Sequence, residues 1–257
     1  MTSFEREMKT FKGQKKLVML TAYDAQVAHI LSKANVDLIL VGDSLGVVFQ
    51  GLKTTKQVTM DEMVYHITIV RRGAGAKPVI GDMPAGSFDT PEHALRNAQR
   101  FMAAGTAAIK IEGNKPDIVR ALAGHGIPVM GHLGLLPQTA EAYRVQGKTQ
   151  ADAQRIMEEA RQLDAAGVFA LVLECVPETL AQNITRTVAA PTIGIGAGVH
   201  CDGQVLVIND MLGMEGEYMP KFVKHYAELG RIIETAVNTF AGEVREGLFP
   251  DSSHTYH

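Results

Sequence analysis

Leu38-Ile39-Leu40-Val41-Gly42-Asp43 is a run of four apolar residues that passes through a glycine into a carboxylate. Such a run is too short for a buried helix, and it is apolar throughout rather than alternating, as parallel strands covered on both faces are. The same signature recurs at Leu17 to Leu20, Val79 to Gly81, Ala107 to Ile111, Val129 to Gly131, Ala170 to Leu173, Thr192 to Ile195 and Val205 to Ile208, which makes eight candidate strands. Helical segments fall between them. Thr59 and Glu62 form a capping box ahead of Met63-Val64-Tyr65, and Thr90-Pro91 opens a second helix that Gly105 stops. Apolar spacing continues through Ile156, Ala160 and Leu163 to Gly167, and through Leu229, Ile232, Ile233 and Val237. Eight strands alternating with helices in 257 residues predict an α/β fold, a (β/α)8 TIM barrel in a single domain, 1–257. The stretch from Gly42 to Val58, rich in Gly and Val and carrying Lys53, Thr54, Thr55 and Lys56, reads as an active-site loop.

Composition agrees with that class. Hydrophobic residues make up 46% and charged residues 21%, which excludes disorder, collagen and coiled coil. A net charge of −3 offers no basic field for nucleic acid. Cys175 and Cys201 form neither a disulfide framework nor a CxxC ligand pair, and read as reduced thiols. Met1 to Lys16 has no apolar core of a signal peptide, and no stretch approaches the length of a membrane span. A cytoplasmic enzyme with no membrane and no nucleic-acid partner is the expectation.

In such barrels the reacting groups sit at the C-terminal ends of different strands. Four of the predicted strands lead to carboxylates, Asp43, Asp82, Glu112 and Glu174, and a fifth leads to His132. A lone Asp at a strand end is as often a helix cap as a ligand. Several carboxylates on one rim, however, repel one another unless a cation neutralises them, and oxygen ligands without a Cys or His cluster favour Mg2+. Lys110 lies two residues before Glu112, so both share one face of the strand. His132 on its own reads more often as a core histidine than as a catalytic one, and Cys175 alternates to the face opposite Glu174 and reads as packing. Gly194-Ile195-Gly196-Ala197-Gly198 lacks room for the helix that a dinucleotide fingerprint requires, and reads as a tight turn at the rim. No P-loop, HExxH, GxSxG or EF-hand spacing occurs.

Together the motifs Val41-Gly42-Asp43-Ser44-Leu45-Gly46, Val70-Arg71-Arg72-Gly73-Ala74, Lys110-Ile111-Glu112-Gly113, Gly131-His132-Leu133-Gly134-Leu135, Val145-Gln146-Gly147, Leu173-Glu174-Cys175-Val176-Pro177 and Ile193-Gly194-Ile195-Gly196-Ala197-Gly198 resemble the ketopantoate hydroxymethyltransferase family. The resemblance runs from about Thr21 to His254. It implies a barrel of the phosphoenolpyruvate mutase and isocitrate lyase superfamily, a homodecamer built as a pentamer of dimers, Mg2+, and 5,10-methylenetetrahydrofolate as one-carbon donor to 3-methyl-2-oxobutanoate. The implied product is 2-dehydropantoate (ketopantoate), an intermediate of pantothenate and coenzyme A biosynthesis. Carried onto matching positions, Asp43 and Asp82 hold the metal with Glu112 a further ligand, direct or through water. Asp43, Ser44, Asp82, Lys110 and His132 bind the keto acid, and Glu174 is the general base.

Two departures stand out: the segment between Pro137-Gln138 and Val145-Gln146-Gly147 is short and lacks the family's Gly-Gly pair, and Ala85 follows Met83-Pro84 where a Phe is common. The implied chemistry is coherent with the residues. A chelated 2-keto acid loses its C3 proton to a carboxylate, leaving an enolate that Mg2+ stabilises and that attacks the folate's methylene carbon. A carbon–carbon lyase of the same superfamily would carry a Lys-Lys-Cys-Gly-His motif, which is absent; a non-catalytic relative would have lost the base or a ligand, and neither is lost.

Overall fold

The apolar runs form a parallel barrel that closes on itself in sequence order: β1 (Leu17–Thr21), β2 (Leu38–Val41), β3 (Val79–Asp82), β4 (Ala108–Glu112), β5 (Val129–Gly134), β6 (Ala170–Glu174), β7 (Thr192–Ile195) and β8 (Gly203–Leu206), with β8 pairing β1. The structure, a computed structural model, describes residues 1–214 and 219–256. It divides into two compact units, Met1–Val207 and Ile208–His257.

The first unit holds the barrel and helices α1 (Ser3–Thr10), α2 (Ala25–Lys33), α3 (Leu45–Val48), α4 (Met60–Gly73), α5 (Pro91–Ala103), α6 (Pro116–Gly124), α7 (Gln150–Ala166) and α8 (Glu178–Thr187). Their ends follow the capping signals. Thr59 and Glu62 make the reciprocal box at the start of α4, Thr90 caps α5 with Pro91 in its first turn, and Gly167 ends α7 in the left-handed conformation. The second unit holds α9 (Ile208–Met211) and α10 (Leu229–Glu246), and α10 has no buried residue.

Two expectations are corrected. The last strand lies at Gly203–Leu206 rather than Val205 to Ile208, because Gly203 and Gln204 pair with Leu17 and Val18 to close the barrel, while Ile208 begins α9. A Cβ at Gly203 would lie 2.5 Å from the Leu17 carbonyl oxygen, so the closing seam takes a residue that reads as loop. The stretch from Gly42 to Val58 is not all loop. It folds into α3 and a 3-10 turn at Thr55–Gln57, where the Thr54 hydroxyl accepts from the Lys56 N–H.

The barrel interior explains where the site sits. Alternate residues point inward, and Leu38 and Leu40, Ile80, Ala108, Met130, Ala170 and Val172 form the buried apolar core. Continuing the same alternation toward the strand ends brings Asp82 above Ile80, Lys110 and Glu112 above Ala108, His132 above Met130 and Glu174 above Val172. β3, β4, β5 and β6 are therefore apolar in their lower layers and carry charged or ionisable groups above. At the opposite end α1 covers the barrel with buried Met8 and with Phe4, whose ring meets that of Phe169 edge-on at 5.1 Å. Lys12 locks that end, donating to the carbonyls of Thr185 and Ala190 and to Asp202 at 2.6, 3.1 and 2.8 Å.

Candidate active site

Register decides which charged groups meet. Asp82 and Lys110 are partners across β3 and β4, and the Lys110 ammonium donates to Asp82 Oδ1 at 2.6 Å. Glu112 and His132 are partners across β4 and β5; His132 Nδ1 lies 3.5 Å from Glu112 Oε1, and its Nε2 lies 3.2 Å from Glu174 Oε2. These two ring contacts are ion pairs rather than aligned hydrogen bonds. Lys110 also lies 3.9 Å from Glu112. Asp43, two residues beyond β2, is buried beside them, with its own N–H directed at Asp82 Oδ2 at 3.4 Å.

The charges perturb one another strongly. Burial, then the neighbouring charge of Asp82, pushes the Asp43 carboxyl well above its usual range. Burial also raises Asp82, against the opposing pull of the Lys110 ammonium. Burial works against ionisation of Glu112 as well, but His132 and Lys110 outweigh it and hold that carboxyl low. For His132, burial and Lys110 disfavour the cation, yet Glu112 and Glu174 prevail and push the imidazole up to about 9. Lys110 is likewise held protonated by Asp82, Glu112 and Asp43 in spite of its burial. Both shifts favour the cationic forms, imidazolium and ammonium. Exposure separates the carboxylates: the Glu174 side chain is 16% accessible, whereas those of Asp82 and Glu112 are each 4%.

All the residues that the sequence pointed to as site groups gather at this rim. Ser44 sits at the start of α3, where its hydroxyl meets the Tyr23 hydroxyl at 2.8 Å. The Gly194–Gly198 segment turns through left-handed Gly196 and Gly198 as expected, and Gln204 donates to the Gly198 carbonyl at 2.9 Å. Cys175 is half-buried just past β6 and takes a left-handed φ of 49°.

Gln138 was not legible as a site residue. It is buried, its side-chain amide donates to Asp43 Oδ2 and to the Met83 carbonyl at 2.9 Å each, and its N–H donates to Glu112 Oε2 at 3.1 Å. A single residue, four past the end of β5, thereby fixes groups at the ends of β2, β3 and β4. A glutamine carries no periodic or charge signature, so only its position after Pro137, at the edge of a motif, marked it. Among the described residues no group of three His, Cys, Asp or Glu side chains converges to hold a metal ion. Glu112 is engaged by Gln138, His132 and Lys110.

The arrangement can hold a small anion against Lys110, place a half-exposed carboxylate beside it, and accommodate a hard cation between buried acids. Comparison with known proteins narrows this. The profile of the ketopantoate hydroxymethyltransferase family matches residues 3–252. A 3-methyl-2-oxobutanoate hydroxymethyltransferase of Syntrophus aciditrophicus is 50% identical over 262 residues, covering 99% of this chain and 96% of its own. One from Desulfotalea psychrophila is 49% identical over 248 residues, covering 94% and 89%. In fold, the chain is similar to a 2,3-dimethylmalate lyase of the phosphoenolpyruvate mutase/isocitrate lyase superfamily, with a TM-score of 0.62, 14% identity, and coverage of 100% of this chain and 93% of that one. On this full-length likeness, the chain belongs to the ketopantoate hydroxymethyltransferase family of enzymes.

Proposed function

We propose that this enzyme transfers a hydroxymethyl group from 5,10-methylenetetrahydrofolate to 3-methyl-2-oxobutanoate, giving 2-dehydropantoate in pantothenate biosynthesis. The observation that carries the reading is the division of labour among the carboxylates. Asp43, Asp82 and Glu112 are sealed in and tied to Gln138, Lys110 and His132, while Glu174 alone of the four is accessible from the barrel mouth. A base must reach a substrate proton, and sealed carboxylates cannot.

His132 does not compete for that role. Its ring is fully buried between Glu112 and Glu174, which favour its cationic form, and it supports Glu174 by lying 3.2 Å from it. Lys110 and Ser44 suit the carboxylate and keto oxygens of the acid. Glu174 then takes the C3 proton, and C3 bonds to the methylene carbon of the folate. The methylene carbon exchanges its two carbon–nitrogen bonds for the bond to C3 and a bond to a water oxygen, and the C3 proton and one water proton end on the two nitrogens as tetrahydrofolate leaves.

The residues fit a divalent metal. Asp43 and Asp82 are buried acids whose carboxyls are raised by burial, Asp43 also by the charge of Asp82, and a divalent cation between them would offset that mutual repulsion. The all-oxygen donors Asp43 and Asp82 suit Mg2+, with Glu112 acting through water, since Mg2+ retains several waters. When bound, Mg2+ supplies electron withdrawal from the keto carbonyl and stabilises charge developing as the C3 proton leaves. A cytoplasmic homodecamer completes the proposal. Its support is the exposure of Ile232, Ile233, Val237, Phe240 and Val244 along α10, an apolar stripe that a second copy would cover. No described helix is long and apolar enough to cross a membrane.

The test is hydrogen exchange at C3 of 3-methyl-2-oxobutanoate in D2O, followed by NMR with and without Mg2+. Glu174→Gln keeps shape and hydrogen bonding but removes the basic oxygen, so exchange and turnover should fall together by about 10²- to 10⁴-fold. His132→Asn should weaken keto-acid binding more than exchange. Undiminished exchange in Glu174→Gln, with exchange lost in His132→Asn, assigns the base to β5 instead.

A further inference from the structure

The keto-acid machinery leaves one feature of the barrel mouth unused. Residues 139–145 form a strap with both ends tied to the catalytic rim. Its root is Gln138, which bonds Asp43, Met83 and Glu112. Near that root the Lys56 ammonium donates to the Ala140 carbonyl at 2.8 Å, so the stretch after β2 holds the strap as well. At the far end the Gln146 N–H donates to the Cys175 carbonyl at 2.8 Å, and Cys175 directly follows Glu174. The span therefore starts at the metal-side carboxylates and lands beside the base. Between the anchors the side chains are exposed, and the one ring among them is Tyr143, 56% accessible.

The strap that carries the ring is held at Ala140 by Lys56 and at Gln146 by Cys175, the residue after Glu174. Partial burial, and then the negative charges of Glu174, Asp43 and Glu112, raise the Tyr143 phenol further above the ordinary range, in which a phenol is already neutral. A neutral, accessible ring has no evident use for a small, branched, non-aromatic keto acid, which is held by charge deeper in the barrel. The second substrate is different. It must enter from solvent over the face where Glu174 is accessible, and it presents a flat aromatic heterocycle whose methylene carbon has to be delivered to C3. Flat rings seat on aromatic side chains in offset stacks, and Tyr provides that area with only two torsions to fix.

We propose that Tyr143, at the crown of the strap, is the ring platform for the flat heterocycle of the one-carbon donor. The proposal rests on the hydroxymethyl-transfer reading above and assigns a donor-binding residue within it. Because Gln138 at the root also orients Asp43, the strap ties donor seating to the carboxylates below. The short form of the segment confines Tyr143 between its anchors, which limits where the ring can travel.

The test compares wild type, Tyr143→Ala and Tyr143→Phe in two assays: transfer from 5,10-methylenetetrahydrofolate, and folate-free C3 exchange of 3-methyl-2-oxobutanoate with Mg2+. An exposed side chain can be truncated without opening the core. Tyr143→Ala should raise the donor KM about tenfold or more, the usual effect of removing a stacking partner. Its transfer kcat/KM should fall at least about tenfold further than its exchange rate, whereas Tyr143→Phe, which keeps the ring, should stay within about twofold of wild-type donor KM. An unchanged donor KM in Tyr143→Ala overturns the proposal, as does a rise confined to the keto-acid KM, or equal damage in Tyr143→Phe, which would point to the hydroxyl. If wild type exchanges the C3 proton but transfers nothing from the folate, the underlying reading of the donor fails first, and the platform with it.

Discussion

Asp43 and Asp82 look alike in the sequence, each at a strand end, but their surroundings differ. Asp82 pairs with buried Lys110 at 2.6 Å, while Asp43 accepts from the neutral amide of Gln138 and bears burial and the repulsion of Asp82. The two alanine variants should therefore share one effect and divide on another. Both should lose calorimetrically detectable Mg2+ binding and turnover. In the metal-free protein, Asp43→Ala should be at least as stable as wild type, because a repelled buried acid is gone. Asp82→Ala should be less stable by about 3 kcal/mol, because it strands a buried ammonium. Thermal unfolding in a chelator reads the difference. Full turnover by either variant under chelation would remove that residue from the metal site.

Among the elements, β5 and β6 place the base. Gly134, the last residue of β5, has a φ of +98°, and a Cβ there would lie 2.1 Å from the Glu174 carbonyl oxygen. Glycine is needed on both counts, since a side chain would be strained and would force the strand ends apart. Gly134→Ala should cost about 1–3 kcal/mol in stability. A displacement of Glu174 on the order of 1 Å should lower C3 exchange by about 100-fold. Wild-type exchange in a folded Gly134→Ala protein would show that the position of the base tolerates such movement. The strands themselves were legible because buried parallel strands are apolar throughout. The last one was misplaced by two residues because its pairing begins at Gly203 and Gln204, which have no apolar signature.

For the whole molecule, the feature left to explain is α10, which buries no residue yet presents Ile232, Ile233, Val237, Phe240 and Val244 to solvent. An apolar stripe of this length on an isolated chain invites association. Light scattering at micromolar concentration should give a mass far above the 27.8 kDa of one chain, with a decamer expected. A monomeric mass with activity retained would reject the assembly. Sequence reasoning expected one domain over 1–257, and the observed contacts group into Met1–Val207 and Ile208–His257. The helical periodicity of α10 was visible in the chain, but periodicity shows only that a face is apolar and not what covers it.

By itself the sequence determined the elements and the chemistry available at their ends, because both are local. An apolar run makes a strand, a capping box starts a helix, and alternation carries Lys110 and Glu112 to one face. Only the tertiary structure decided which groups meet. The pairing of β3 with β4 set Lys110 on Asp82, and that of β4 with β5 set His132 against Glu112, whose charge favours the imidazolium. The return of the chain after β5 brought Gln138 onto Asp43, 95 residues away, and Gln146 onto the Cys175 carbonyl. No local pattern encodes these contacts. Barrel closure fixes the register between strands distant in sequence, and burial at that register sets which side chains are charged.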